Sequence, residues 1–417
     1  MHEIWRFSRL KERIDALGEF GRDPFGGMTR PFGSAAEREA RRWFLQEASK
    51  TGLEISTDMA GNIWALYPGD RPEILAIGSH LDTVPHGGAY DGSLGVILGL
   101  ESVQTLQEQE YRPLHTLGVL VLAGEEPNPF RLSTLGSRLL TGVLSFEEIE
   151  AVKDDQGLLL TEALALADAP SGNHHELDVA RLRGFIEPHI EQGARLKEQG
   201  LPLAVVTTIT GIVRHSITII GEQNHAGTTA PEQRRDAVQA FAGTMELFQR
   251  MGQEFSGEVR GTVGYVSVFP NAVNIVPSRV EFIVEWRSPQ DSLLHSVAEM
   301  FWTQVQTRVH EMGLELTRKV ILSQNPVVMD PRMQELLHQA VGTYIPQHPG
   351  LVSWAGHDAA HLAQKVPTGM LFIRSNGKSH CPDEDCDSDD MALALRVLIT
   401  ALRRWDQKEN PGASLRK

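Results

Sequence analysis

The chain has 417 residues, 41% hydrophobic and 22% charged, which is long for one core and ordinary for a two-domain globular protein. Its formal net charge of −15 repels phosphate backbones and acidic membrane surfaces, so neither nucleic acid nor membrane is expected as a partner. No apolar run approaches the roughly 18 residues of a membrane span, and the only cysteines, Cys381 and Cys386, suit a reducing compartment, so a cytoplasmic location is expected.

The N-terminal Met1-His2-Glu3-Ile4-Trp5-Arg6 lacks the apolar centre of a signal peptide and reads as the start of an amphipathic helix. Residues 35–49 have helical spacing with many charges, and residues 94–106 form a second helical stretch. Around it, residues 74–78 and 117–123 are continuous apolar runs, the pattern of strands buried on both faces. The stretch Ala169-Pro170-Ser171-Gly172-Asn173 reads as a surface loop. From residue 211 the pattern changes. Strands are expected at 215–220, 261–269, 279–287 and 314–322, and helices at 234–251 and 290–312. That order is β-α-β-β-α-β, the ferredoxin-like arrangement. After Asn325-Pro326 the α/β pattern returns, with a strand at 369–373. The fold class is therefore α/β, a catalytic domain around a largely parallel sheet with a small α+β domain inserted into it. The expected divisions are residues 1–210 and 325–417 for the catalytic domain and 211–324 for the insert.

Four segments place metal-type ligands just after buried strands. They are Gly78-Ser79-His80-Leu81-Asp82 with Tyr90-Asp91-Gly92, then Gly124-Glu125-Glu126-Pro127, then Glu187-Pro188-His189-Ile190-Glu191-Gln192-Gly193, and last Ser379-His380-Cys381-Pro382. Strand ends of an open α/β sheet are where ligands bind, so the four tips can converge. Each motif alone has a plain reading: His-x-Asp as a surface accident, Glu-Glu as a solvated helix face, a lone histidine as a satisfied core residue. Together they are costly without a cation, because adjacent carboxylates repel and a dication offsets that repulsion. Imidazoles with carboxylates suit zinc, or manganese and its neighbours.

These motifs resemble the M20 metallopeptidase superfamily, and within it the amidase/hydantoinase/carbamoylase branch of N-carbamoyl-L-amino acid hydrolases, allantoate amidohydrolases and β-ureidopropionases. The resemblance runs from Asp58-Met59-Ala60-Gly61-Asn62 to Ser379-His380-Cys381-Pro382-Asp383-Glu384 and includes His225-Ala226-Gly227-Thr228-Thr229 and Arg234-Arg235-Asp236-Ala237. It implies two divalent ions per chain (zinc, or manganese, cobalt or nickel), bridged by Asp91. His80 and His189 would complete one site, Glu126 and His380 the other. Glu125 would be the general base that takes a proton from the attacking water, and Asp82 would orient His80 through its far ring nitrogen. The insert would serve as a lid and dimerisation domain, with His225 crossing a homodimer interface to stabilise the oxyanion and Asn274 and Arg287 clamping a substrate carboxylate. Gln192 and the turn at Gly356 resemble further substrate-side positions.

Three departures from the family pattern bear on the substrate. Pro127-Asn128-Pro129-Phe130 replaces a glycine followed by Arg-Phe, which stiffens the loop and removes a cation. Ile212 stands where a glutamine often recognises the ureido or amide end. Lys378 and Cys381 replace an apolar residue and an asparagine near the last ligand, and Cys381 reads better as a small buried side chain than as a thiolate ligand. Hydrolysis of a small carboxylate-bearing ureido acid is the leading reading. An N-acyl-amino-acid amidohydrolase or dipeptidase on the same scaffold is the alternative. An inactive metal-binding relative is disfavoured because Glu125 and every ligand are present.

Overall fold

The computed structural model describes residues 7–166 and 178–408, so the segments Met1-His2-Glu3-Ile4-Trp5-Arg6 and Ala169-Pro170-Ser171-Gly172-Asn173 lie outside the described residues. The chain divides into two compact units, Met1–Thr207 with Val328–Lys417 and, between them in sequence, Thr208–Val327.

The first unit opens with helices α1 (Phe7–Leu17) and α2 (Ala35–Lys50), the latter capped by Ser34, whose hydroxyl accepts the Glu37 N–H. Then come strands β1 (Glu54–Thr57), β2 (Ile63–Tyr67) and β3 (Arg71–His80), helix α3 (Ser93–Glu108), strand β4 (His115–Leu122) and helix α4 (Leu135–Thr141). Strands β5 (Leu182–Ile190) and β6 (Leu203–Ile209) follow. The main sheet runs β1-β2-β4-β3-β5, then the strand Thr368–Ile373, then β6 and the short Val327–Val328. Its centre is parallel, with β3 pairing both β4 and β5 and β5 pairing Thr368–Ile373, while β2 and β6 add antiparallel margins. Every residue of β4 is buried, as a central parallel strand covered on both faces must be. On one face Leu94 and Ile97 of α3 and Leu398 and Trp405 of the last helix pack with Ile77 and Val119. Helix α3 is buried around most of its surface, and at Ser93–Glu108 it runs slightly beyond the expected 94–106.

The second unit is built from β7 (Gly211–Ile220), α5 (Ala237–Glu254), β8 (Arg260–Phe269), β9 (Arg279–Ser288), α6 (Asp291–Glu311) and β10 (Glu315–Gln324). The sheet order is β10-β7-β9-β8, with every pairing antiparallel. Val280, Phe282, Val284 and Trp286 alternate inward on β9 and pack against Leu247 of α5 and Phe301 and Val305 of α6. The intervening Glu281, Ile283, Glu285 and Arg287 lie on the opposite face, half-buried. Helix α5 starts three residues later than its spacing suggests. The Asp236 carboxylate caps it by accepting the N–H groups of Val238 (2.9 Å) and Gln239 (3.2 Å), while Arg234 folds back onto the carbonyls of Ala226 and Thr229. After this unit come α7 (Pro331–Gly342), β11 (Thr368–Ile373) and α8 (Ser388–Lys408) of the first.

Candidate metal centre

Parallel strands deliver their C-terminal ends to one edge of the sheet, and β3 ends on His80 while β5 ends just past His189. Asp91 lies between them, at the entrance to α3. Its two oxygens face two groups of donors: His80 and His189 on one side, Glu126 and His380 on the other, with donor atoms inside 4.8 Å in each group. Oδ1 is 3.1 Å from His189 Nε2 and 3.6 Å from His80 Nε2. Oδ2 is 3.4 Å from His380 Nε2, which is also 3.2 Å from Glu126 Oε1. The ring orientations are set from behind. His80 Nδ1 donates to the Asp82 carbonyl at 3.0 Å and His189 Nδ1 to the Ile190 carbonyl at 2.9 Å, so each ring turns its Nε2 toward Asp91, where the neutral form offers a lone pair to a cation. His80 Nε2 is buried with no hydrogen-bond partner, an orphan that a cation would satisfy. The space is tight: a Cβ on Gly92 would lie 2.3 Å from the His80 ring, at a φ of +63° that disfavours side chains in any case.

The charges point the same way. Burial pushes Asp91 up, but His189, His380 and His80 outweigh it and hold the carboxylate well below its usual range. Hydrogen bonds to Asp91 and Glu126 lift His380 to about 10. Burial, then the charges of Glu126, Asp358 and Asp82, raise Glu125 well above an ordinary glutamate despite the nearby His80. Convergent lone pairs, clustered carboxylates and an orphaned imidazole nitrogen fit two divalent cations sharing Asp91.

The contact expected of Asp82 with the far ring nitrogen of His80 is made by its main chain and not by its carboxylate. Its nearest carboxylate oxygen is 3.7 Å from His80 Nδ1, beyond hydrogen-bond range, and its own main-chain carbonyl makes that contact instead. The chain turns as it leaves β3, which aims the side chain at the loop after β4. There the carboxylate accepts the N–H groups of Glu125 (3.2 Å) and Glu126 (2.9 Å). Gln192, with φ +62°, donates to Asp91 Oδ2 at 2.8 Å, and its own carbonyl oxygen is buried without a partner. Gly356 is exposed, with open space where a Cβ would be. Its neighbour His357 packs edge-on against the His189 ring, centroids 4.5 Å apart. Cys381 belongs to neither donor group among the described residues, and Lys378 pairs with Asp383 at 2.6 Å. Phe130, beyond the stiffened Pro127-Asn128-Pro129, packs edge-on against Phe32.

Within the second unit, His225 is exposed on a short strand, Asn224–His225, that pairs with Ile275–Val276. Its Nδ1 accepts the N–H groups of Gly227 (3.0 Å) and Thr228 (3.1 Å), which places the proton of the neutral ring on Nε2. Asn274 is exposed at the same turn, its carbonyl accepting the Ala226 N–H. Arg287 and Ile212 are register partners on β9 and β7. Arg287 Nε donates to Glu285 at 2.7 Å, Glu285 also holds Arg214, and Ile212 is buried.

Residues 76–404 match the model of peptidase family M20/M25/M40. The chain belongs to that family. It is 34% identical to an N-carbamoyl-L-amino acid amidohydrolase of Geobacillus stearothermophilus over 96% of this chain and 99% of the relative. It is 31% identical to an allantoate amidohydrolase of Escherichia coli (strain K12), over 94% and 96%. Among solved structures, an amidase of the hydantoinase/carbamoylase family from Burkholderia multivorans superposes with a TM-score of 0.87 at 30% identity, covering 96% of this chain and 98% of the other. This M20 member is therefore an amidohydrolase, and no helix among its described residues is long and apolar enough to cross a membrane.

Several residues to which the sequence reading gave no individual role brace the M20 donor groups. Asn62 Oδ1 accepts the Ala123 N–H at 3.0 Å and its amide donates to the Gly136 carbonyl, closing the base of the loop that holds Glu125 and Glu126. Arg30, fully buried, donates to the Leu81 carbonyl at 2.7 Å and to Ser93 Oγ at 2.9 Å, bracing the chain on both sides of Asp91. Ser379 and Glu384 contact Asp91 itself. Glu384 stands between Asp383 and Asp385, and it is buried while both neighbours are exposed.

Proposed function

We propose that this enzyme hydrolyses the C–N bond of an N-carbamoyl (ureido) amino acid or a closely related small carboxylate, as a cytoplasmic homodimer holding two ions of zinc, or of manganese, cobalt or nickel, per chain. The observation that carries the reading is the pair of donor groups sharing Asp91, with Glu125 beside them, its Oε2 3.8 Å from His80 Nε2. When bound, the ion pair polarises the scissile carbonyl and lowers the pKa of the attacking water. Glu125 takes the proton of that water as the C–O bond forms and passes it to the leaving nitrogen as the C–N bond breaks. With a ureido substrate the products are ammonia, carbon dioxide and the free amino acid.

His225 supplies an Nε2–H donor for the oxyanion of the partner subunit's substrate, a role its two Nδ1 acceptor bonds prepare by fixing the tautomer. Asn274 and Arg287 hold the substrate carboxylate, the guanidinium being positioned through Nε by Glu285. The exposed apolar side chains on the terminal strand β8, Tyr265, Val266 and Phe269, support pairing of two second units in a dimer. A second reading, an N-acyl-amino-acid amidohydrolase, is favoured by one observation: buried Ile212 lies in register with Arg287, where an apolar side chain offers nothing to a terminal –NH₂.

The test is metal loading followed by a substrate panel. Protein grown with zinc or manganese should hold close to two ions per chain, lose activity to a chelator and regain it with a divalent ion. N-carbamoyl, N-acetyl, N-formyl and dipeptide substrates then separate the two readings by release of ammonia or of amine alone. Full activity in metal-free protein would overturn both.

A further inference from the structure

Glu384 is the inward-turned member of Asp383-Glu384-Asp385: it is 6% exposed, and both neighbours are solvent-facing. Its Oε1 accepts the main-chain N–H of Tyr90 at 2.9 Å and that of Asp91 at 3.0 Å. Its Oε2 lies 3.1 Å from Ser379 Oγ, and that hydroxyl is in turn 2.9 Å from Asp91 Oδ2. One side chain thus grips the peptide that carries Asp91 and, through Ser379, the residue preceding His380. The fit is built in. A Cβ on Gly88 would lie 2.1 Å from the Glu384 carboxyl, so the loop leading to Asp91 leaves room for this group and little else.

The two donor groups differ in how firmly they are held. His80 and His189 are fully buried at the ends of sheet strands. His380 sits on a loop at φ +55° with its side chain 48% exposed, and Glu126 follows a strand end by a turn. Loop-borne ligands depend on neighbours for their placement. Around His380 those neighbours are Ser379 and Glu384, with a turn closed by the Glu384 N–H on the Cys381 carbonyl.

We propose that Glu384, acting with Ser379, is the positioning residue that seats Asp91 and the His380 loop against each other and so sets the affinity of the ion held by Asp91, Glu126 and His380. The inference rests on the two-ion reading above. A glutamine can replace the glutamate here: its Oε1 accepts both main-chain N–H groups, and its –NH₂ donates to Ser379 Oγ, which keeps its own proton for Asp91. An alanine leaves two buried N–H groups and the serine without that partner.

The experiment is a calorimetric titration of metal-free, full-length protein with Mn²⁺ alone, for wild type, Glu384→Ala, Glu384→Gln and Ser379→Ala. Wild type should bind two ions. Glu384→Ala should weaken the second by about ten- to hundredfold and the first by clearly less, since Asp91 is shared while His80 and His189 stay held by their strands, and Glu384→Gln should restore both to within about threefold. Ser379→Ala should shift the second ion in the same direction by less, and it decides the matter alone if Glu384→Ala does not fold. Wild-type affinity for the second ion in Glu384→Ala and Ser379→Ala overturns the inference. So does an equal loss at both ions that Glu384→Gln fails to rescue, because that is the mark of a general folding defect. Fewer than two ions bound by wild type overturns the two-ion reading itself, and this inference with it.

Discussion

Replacing Asp82 by asparagine separates the two tasks that this side chain could perform. The carboxylate accepts the N–H groups of Glu125 at 3.2 Å and Glu126 at 2.9 Å, and it is 2% exposed. Asparagine has nearly the same shape but one acceptor oxygen, so its –NH₂ must face one of the two N–H donors. A hydrogen bond to a charged group contributes roughly 1.5–3 kcal/mol, and an unsatisfied buried N–H costs a further 1–3 kcal/mol or so. The loop carrying both glutamates therefore loses about 3 kcal/mol of restraint, while His80 keeps its main-chain carbonyl partner. Stepwise Mn²⁺ titration of Asp82→Asn should show the Glu126 ion weakened by about ten- to hundredfold and the His80 ion nearly unchanged. Turnover should fall as Glu125 loses its place. If the His80 ion weakens instead, with the second unaffected, the carboxylate orients the imidazole after all and the structural reassignment of Asp82 is wrong.

Three other outcomes follow from the same geometry. Glu125→Gln should keep both ions, because Glu126 is the donor, and lose about 10²–10⁴-fold in kcat; loss of metal instead would mean the two glutamates are exchanged in role. Ile212→Gln should raise kcat/KM on N-carbamoyl relative to N-acyl substrates by roughly ten- to hundredfold, whereas Arg287→Ala should harm both alike; an unchanged ratio makes Ile212 a packing residue. The buried His361, whose Nε2 meets Thr134 Oγ1 at 3.0 Å, is pulled down by burial and then by the charge of Arg138, from 6.5 to about 4. The unfolded chain takes up this proton at a higher pH than the folded one. Its stability is therefore whole above pH 6.5 and declines as pH falls towards 4. His361→Gln should remove about 3 kcal/mol of that decline, read as a shallower fall in melting temperature between neutral and acid pH. Parallel curves for the two proteins would refute it.

Much of the architecture was legible in the chain because local pattern and tertiary role agree. The fully apolar run of β4 can be stable only between two covered faces, and the alternation on β9 suits a sheet with helices on one side. Element ends were less legible. The start of α5 is decided by which way the Asp236 carboxylate turns, and periodicity does not record that. The histidines and carboxylates of the metal centre stood out because so many ligand types follow buried strands, an arrangement expensive unless a cation is present.

What the sequence determined by itself was the kind of chemistry, since residue types at strand ends restrict what can bind. What only the tertiary structure decided was which atom meets which. The Asp82 carboxylate turned to two main-chain amides, and Glu384 turned inward between two exposed aspartates. Both choices depend on contacts between segments far apart in the chain, with Glu384 separated from Asp91 by 293 positions. Hydrogen bonds at that separation leave no periodic trace. They are set by backbone direction at the ends of packed strands, and that direction exists only once the sheet has formed.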